Sequence, residues 1–106
     1  MGKTITEAEM EVSKTIRFCK YYSENYQPIL PQEVNAGAKK HAFVKYFPTG
    51  ILYFLVPFNF PLYLSLKGGL PNLLLGNVIM ARFADSCPNV GRVVEDIMIK
   101  AGLNNG

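Results

Sequence analysis

Ile51-Leu52-Tyr53-Phe54-Leu55-Val56-Pro57-Phe58-Asn59-Phe60-Pro61 lies inside a run, Tyr46 to Leu66, that holds no charged side chain. A run of that length is enough to span a bilayer. It also suits a buried strand feeding a buried helix, with Pro57 ending the strand, Pro61 opening the helix and Asn59 in the turn between. The interruptions argue against the bilayer. In hydrocarbon each proline frees a backbone carbonyl and the Asn59 amide lacks a partner, whereas a strand-to-helix turn uses all three residues. Ile51 to Val56 is apolar at every position. That is the pattern of a strand buried on both faces of a parallel sheet.

Working downstream, Leu62 to Leu75 reads as a helix, weakened by Gly68-Gly69 and Pro71 and stopped at Gly76-Asn77. Val78-Ile79-Met80-Ala81 is a second short strand. A last helix starts near Pro88, and Val90, Val93, Val94, Ile97, Met98 and Ala101 give it one apolar face. Gly102 sits where a left-handed C-terminal residue belongs. Residues 51–101 therefore predict strand, helix, strand, helix, a βαβ unit with a right-handed crossover and a further helix.

Upstream, Thr49-Gly50 makes a tight break and Pro48 ends a strand over Ala42 to Phe47. Residues 32–41 are polar, contain Gly37, Lys39-Lys40 and His41, and predict a hairpin tip. The first helix is expected from about Thr6 to Asn25. Ala8, Val12, Ile16, Cys19, Tyr22 and Tyr26 recur at helical steps, and Thr6 with Glu9 has capping-box spacing. Pro28 and Pro31 oppose continuation. No internal repeat or low-complexity tract is present.

The 106 residues are 49% hydrophobic and 18% charged, too greasy for a small surface to hide. A covering partner, a bilayer or further chain is implied. The net charge of +3 is spread thinly and makes no dense basic patch, so nucleic acid is not expected as a partner. Two cysteines form neither a disulfide framework nor a zinc motif. With no signal peptide, the reducing cytoplasm is the expected compartment. Gly2 and Thr6 fit the loose myristoylation pattern, which asks for little else.

Ligands of open α/β sheets bind at the carboxyl ends of the strands. Two such ends occur, Leu55-Val56-Pro57-Phe58-Asn59 and Arg82-Phe83-Ala84-Asp85, with neither a GxGxxG nor a P-loop motif beside them. Asn59 suits a helix N-cap as well as it suits a site. Cys19 falls on the first helix's stripe, and Cys87 precedes Pro88 with no base near it in sequence, so both read as packing residues.

Taken in order, Pro48-Thr49-Gly50, Pro57-Phe58-Asn59-Phe60-Pro61, Gly76-Asn77, Arg82-Phe83-Ala84-Asp85 and Ala101-Gly102-Leu103 resemble the NAD(P)-dependent aldehyde dehydrogenases. The resemblance covers the whole chain, down to Met1-Gly2-Lys3. Phe18-Cys19-Lys20-Tyr21-Tyr22 is most similar to the succinate-semialdehyde dehydrogenase branch. It implies an α/β fold: an N-terminal helix and linker over residues 1–31, a β-hairpin segment over 32–48, and over 49–106 a Rossmann-like βαβα unit with parallel strands, the first of the cofactor-binding domain.

It further implies that Asn59 donates its amide to the oxyanion formed when a cysteine attacks a small aldehyde. Leu55, Val56, Pro57 and Phe58 would wall the nicotinamide side of the cofactor cleft, with Phe58 where the family usually has Trp. Arg82 and Asp85 match a Lys and a Glu that contact the adenosine ribose. The carboxylate favours NAD and the guanidinium favours NADP, and the bland alternative is a solvated surface pair. The family's nucleophilic cysteine and glutamate base lie beyond the matched segment, so an internal fragment, inactive alone and homo-oligomeric only at full length, is expected. The other reading is a non-enzymatic element that joins dehydrogenase subunits through sheet edges and apolar faces.

Overall fold

The computed structural model describes residues 1–26, 32–35 and 41–104. They form, in chain order, α1 (Ile5–Glu24), β1 (Gln32–Asn35), β2 (His41–Val44), β3 (Ile51–Val56), α2 (Pro61–Leu74), β4 (Val78–Phe83) and α3 (Pro88–Lys100). The class is mixed α/β, as expected. β3 and β4 pair in parallel, with Ile51 opposite Val78 and Val56 opposite Phe83, and α2 connects them. β1 and β2 form a separate antiparallel hairpin in which Asn35 faces His41. The sequence placed His41 in the hairpin tip and ran the second strand to Phe47. Instead His41 opens β2, and the strand stops at Val44, where its partner Gln32 begins. The tip with Gly37 and Lys39-Lys40, and the linker prolines Pro28 and Pro31, lie outside the described residues.

α2 is sandwiched between α1 on one side and the β3–β4 pair on the other. It runs through Gly68, Gly69 and Pro71 despite their poor propensity, because packing rather than propensity holds such a helix. Small residues are useful there. A methyl group on Gly68 would stand 2.9 Å from the Phe54 ring, and one on Gly91 of α3 would stand 2.7 Å from Phe83. Phe54 and Phe83 share the face of the pair that carries Leu52, Val56 and Ile79, so both helices cover that face. The opposite face is open: Ile51 is 70%, Tyr53 57%, Leu55 73% and Met80 57% exposed. Burial on both faces of β3, expected from its unbroken apolar run, is therefore not realised within this chain.

Both α2 and α3 end in Schellman motifs. The Gly76 N–H reaches the Leu73 carbonyl and the Asn77 N–H the Asn72 carbonyl, with Gly76 at φ +83°. Gly102 and Leu103 repeat the pattern on Ile99 and Met98, with Gly102 at φ +96°. These are the two stops that the sequence marked.

The start of α1 differs from the expectation. Thr4 is the N-cap: its hydroxyl accepts the Glu7 N–H at 3.3 Å, and the Glu7 carboxylate accepts the Thr4 N–H at 3.0 Å. The Thr4 N–H foremost, and then the Thr4 hydroxyl, which donates to the same carboxylate at 2.9 Å, hold the Glu7 carboxyl below its usual 4.5. Thr6 and Glu9 have the same spacing but lie two residues further on, with Thr6 already inside the first turn. The packed face differs too. Val12 and Ile16, counted in the apolar stripe, are exposed, whereas Glu11 and Thr15 are buried. Phe18 meets Tyr63 of α2 edge-on at 5.8 Å between ring centroids. Likewise, Val93 and Ile97 of α3 are exposed, and Val90, Gly91, Val94 and Met98 form its less exposed side.

Among the described residues no helix is long and apolar enough to cross a membrane. The uncharged run is a strand, a turn and a helix, as its prolines indicated.

Gly91→Ala is expected to destabilise the chain by about 1–3 kcal/mol, since the new methyl must displace the Phe83 ring. Urea unfolding followed by circular dichroism measures it. An unchanged midpoint would show that α3 does not sit on Phe83.

Candidate functional site

Parallel pairing sets where a site can form. Because Leu55 lies opposite Arg82 and Val56 opposite Phe83, the two strands finish level. One further bond, from the Ala84 N–H to the Val56 carbonyl at 3.1 Å, keeps the chains together just past their ends. Pro57, lacking an N–H, then stops the ladder. Between the diverging chains lies a cleft of about 270 Å³, lined by Leu55, Val56, Pro57, Arg82, Phe83 and Ala84. Four residues singled out from the sequence, Leu55, Val56, Pro57 and Arg82, are in that lining. Phe58, Asn59 and Asp85 are not, although all three follow the strand ends closely in sequence. Phe83 and Ala84 are additional, and the signal for them was their place in the same strand-end motif.

Arg82 and Asp85 contact each other, guanidinium to carboxylate at 3.3 Å, with both side chains mostly in solvent. A pair so exposed adds little stability and leaves most of the guanidinium donors available.

Asn59 does not cap α2. Phe60 holds the N-cap position with φ −139° and offers no side-chain bond, and Asn59 precedes it, exposed. Among the described residues nothing hydrogen-bonds its side-chain amide.

The cysteines stand apart. Cys87 is buried at the start of α3 and Cys19 half-buried on α1, both unbridged, and neither lines the cleft. Burial pushes the Cys19 thiol up, away from the thiolate. Among the described residues no group of acidic, His or Cys side chains is placed to hold a metal.

The model of the aldehyde dehydrogenase family matches residues 1–106, the whole chain. The chain belongs to the aldehyde dehydrogenase family. Similar relatives include the NADP(+) succinate-semialdehyde dehydrogenase 1 of Mycobacterium ulcerans, 32% identical over all of this chain and 24% of that protein. The NAD(P)+ succinate semialdehyde dehydrogenase of Escherichia coli K12 is 29% identical over all of this chain and 23% of that one. Among solved structures, succinic semialdehyde dehydrogenase from Streptococcus pyogenes, in complex with NADP+, superposes with a TM-score of 0.90 at 27% identity. The superposition covers 100% of this chain and 23% of that one. This aldehyde dehydrogenase chain thus spans roughly a quarter of the length of the relatives it matches.

Two supports of the site in this family member were not anticipated. Asn77, read from sequence as a helix stop and as part of a family motif but not as a clamp, is 6% exposed and reaches back across the sheet. Its Oδ1 accepts the Thr49 N–H at 2.6 Å, the Gly50 N–H at 3.0 Å and the Thr49 hydroxyl at 3.1 Å. That clamp fixes the point where β3 begins, and hence its register on β4, whose first ladder bond runs from the Val78 N–H to the Gly50 carbonyl. The second support is Glu11, buried on α1 with one oxygen on the Tyr63 N–H and the other on the Lys3 ammonium.

Asn77→Ala strands three donors and is expected to destabilise the chain by about 1–3 kcal/mol. Asn77→Asp keeps the acceptor and is expected to lose clearly less. Denaturant midpoints of the two variants decide it, and equal losses would contradict the clamp.

Proposed function

We propose that these residues form the oxyanion-donor turn and one wall of the cofactor cleft of an NAD(P)-dependent aldehyde dehydrogenase. The observation that carries this is the position of Asn59. Its amide, unengaged among the described residues, follows two residues after Pro57, which lines the cleft at the carboxyl ends of β3 and β4. Residues 1–31 contribute helix and linker, residues 32–48 a hairpin segment, and residues 49–106 the first βαβα of the cofactor domain.

The residues present suit a dinucleotide. Leu55, Val56 and Pro57 give an apolar wall for a planar ring, and Phe58 follows them directly in sequence. Arg82 attracts a ribose phosphate and Asp85 suits ribose hydroxyls, so the pair accommodates NADP or NAD. When bound, that cofactor supplies the hydride acceptor for oxidation of an aldehyde to an acid. Asn59 serves the other half of the chemistry. As a thiolate adds to the aldehyde carbon, negative charge develops on the carbonyl oxygen, and a donor already aimed there stabilises it without reorganising. The names of the relatives make succinate semialdehyde the leading substrate.

Cys19 and Cys87 lie off the cleft, which supports a nucleophile supplied from outside these 106 residues. We read the chain as part of a longer polypeptide, homo-oligomeric at full length by the family resemblance alone. Its unbridged cysteines suit a reducing cytoplasm.

The test is turnover with succinate semialdehyde and NADP, read as reduced-cofactor fluorescence. The purified 106-residue chain should give no signal. In the polypeptide as it occurs in its cell, Asn59→Ala should lower kcat by about 10²–10³. Turnover by the isolated chain, or an unchanged kcat in Asn59→Ala, would refute the assignment.

A further inference from the structure

Glu11 sits on α1, 52 residues before its hydrogen-bond partner, and is 5% exposed. A carboxylate survives such burial only when paired and hydrogen-bonded. Its two oxygens serve two different segments. Oε1 accepts the Tyr63 N–H at 3.0 Å, and Oε2 takes the Lys3 ammonium. Tyr63 is the third residue of α2, so its N–H is one of the donors that a helix leaves unpaired at its start. Neither Phe60 at the N-cap nor Pro61 supplies a local side-chain cap. A residue of α1 therefore does across the helix interface what Ser or Asn does at an ordinary N-cap. The Lys3 ammonium also lies 4.4 Å above the centre of the Phe60 ring, which ties the same pair to the residue directly after Asn59.

We infer that Glu11, held by Lys3, is a positioning residue that fixes the Asn59 turn by capping the first turn of α2. This rests on Asn59 being the oxyanion donor. An oxyanion donor works only at hydrogen-bonding distance, and a displacement of about 1 Å is enough to lose it. Asn59 is exposed and unengaged among the described residues, so its position is inherited from Phe60 to Tyr63. Lys3 has a second part. An unbalanced carboxylate at the start of α2 would oppose the negative charge that develops beside Asn59, and the ammonium cancels it.

Two measurements test this. In the chain itself, Glu11→Ala should speed exchange of the Tyr63 amide several-fold, with amides at the centre of α3 unchanged. Glu11→Gln keeps an acceptor at Oε1 and should restore much of the protection. In the polypeptide as it occurs in its cell, Glu11→Ala should lower kcat about tenfold to a hundredfold, with KM for the cofactor held within about twofold. Glu11→Gln should recover most of that loss, and adding Glu11→Ala to Asn59→Ala should lower kcat no further. Losses that multiply in the double variant, or Tyr63 exchange that ignores Glu11→Ala, would overturn the inference. An Asn59→Ala that leaves kcat unchanged would instead overturn the oxyanion assignment. Tyr63 exchange would then still decide whether Glu11 fixes the turn.

Discussion

The parallel pairing of β3 with β4 is the constraint from which the rest follows. A parallel pair needs a crossover, and α2 is that crossover, so the pairing dictates where α2 must start and stop. It brings the ends of both strands to one level, where Pro57 and Ala84 part and leave a cleft. Each end of the crossover is secured by a side chain from elsewhere. Asn77 ties the far end of α2 back to Thr49 and Gly50 at the start of β3, while Glu11 ties its near end to α1. The turn carrying Asn59 hangs between these fixed points.

That scaffold is small for the apolar surface it carries. Among the described residues the buried core hydrophobics are only Val56 and Cys87, and no large side chain is fully buried. The radius of gyration is 17.0 Å, against ~13 Å for a compact domain of this length. One face of the β3–β4 pair presents Ile51, Tyr53, Leu55, Val78 and Met80 to solvent, and β2 presents Phe43. Such residues in such numbers are what a parallel sheet carries when it is covered on both sides. The excess of hydrophobic composition and the open face are the same fact seen at two levels. Both agree with a chain that spans about a quarter of its relatives' length.

Local chemistry made much of this readable from sequence, and long-range pairing hid the remainder. Pro57 and Pro61 separated strand from helix because proline constrains its own backbone whatever surrounds it. Gly76 and Gly102 marked helix ends because a positive φ favours glycine. The strand-end residues Leu55, Val56, Pro57 and Arg82 do line one cleft. The face of α1 could not be read that way. Glu11 counts as polar in any periodicity, yet it is buried because Lys3 and a backbone N–H 52 residues away satisfy it. Thr4–Glu7 and Thr6–Glu9 have identical spacing, so spacing alone does not tell which of them starts the helix. The Asn77 clamp was invisible because its three donors lie in a break 27 and 28 residues earlier.

The central claim is that the cleft at the carboxyl ends of β3 and β4 takes the cofactor with Asn59 beside its reactive end. The most direct measurement is the pattern of intermolecular nuclear Overhauser effects between NADP+ and the isotope-labelled chain. The account predicts contacts from the nicotinamide protons to the side chains of Leu55, Pro57 and Asn59, and from the adenosine ribose to Arg82. Contacts to Ile51, Tyr53 and Val78 at the other end of the sheet, or no contacts to any strand-end residue with the cofactor in excess, would contradict it.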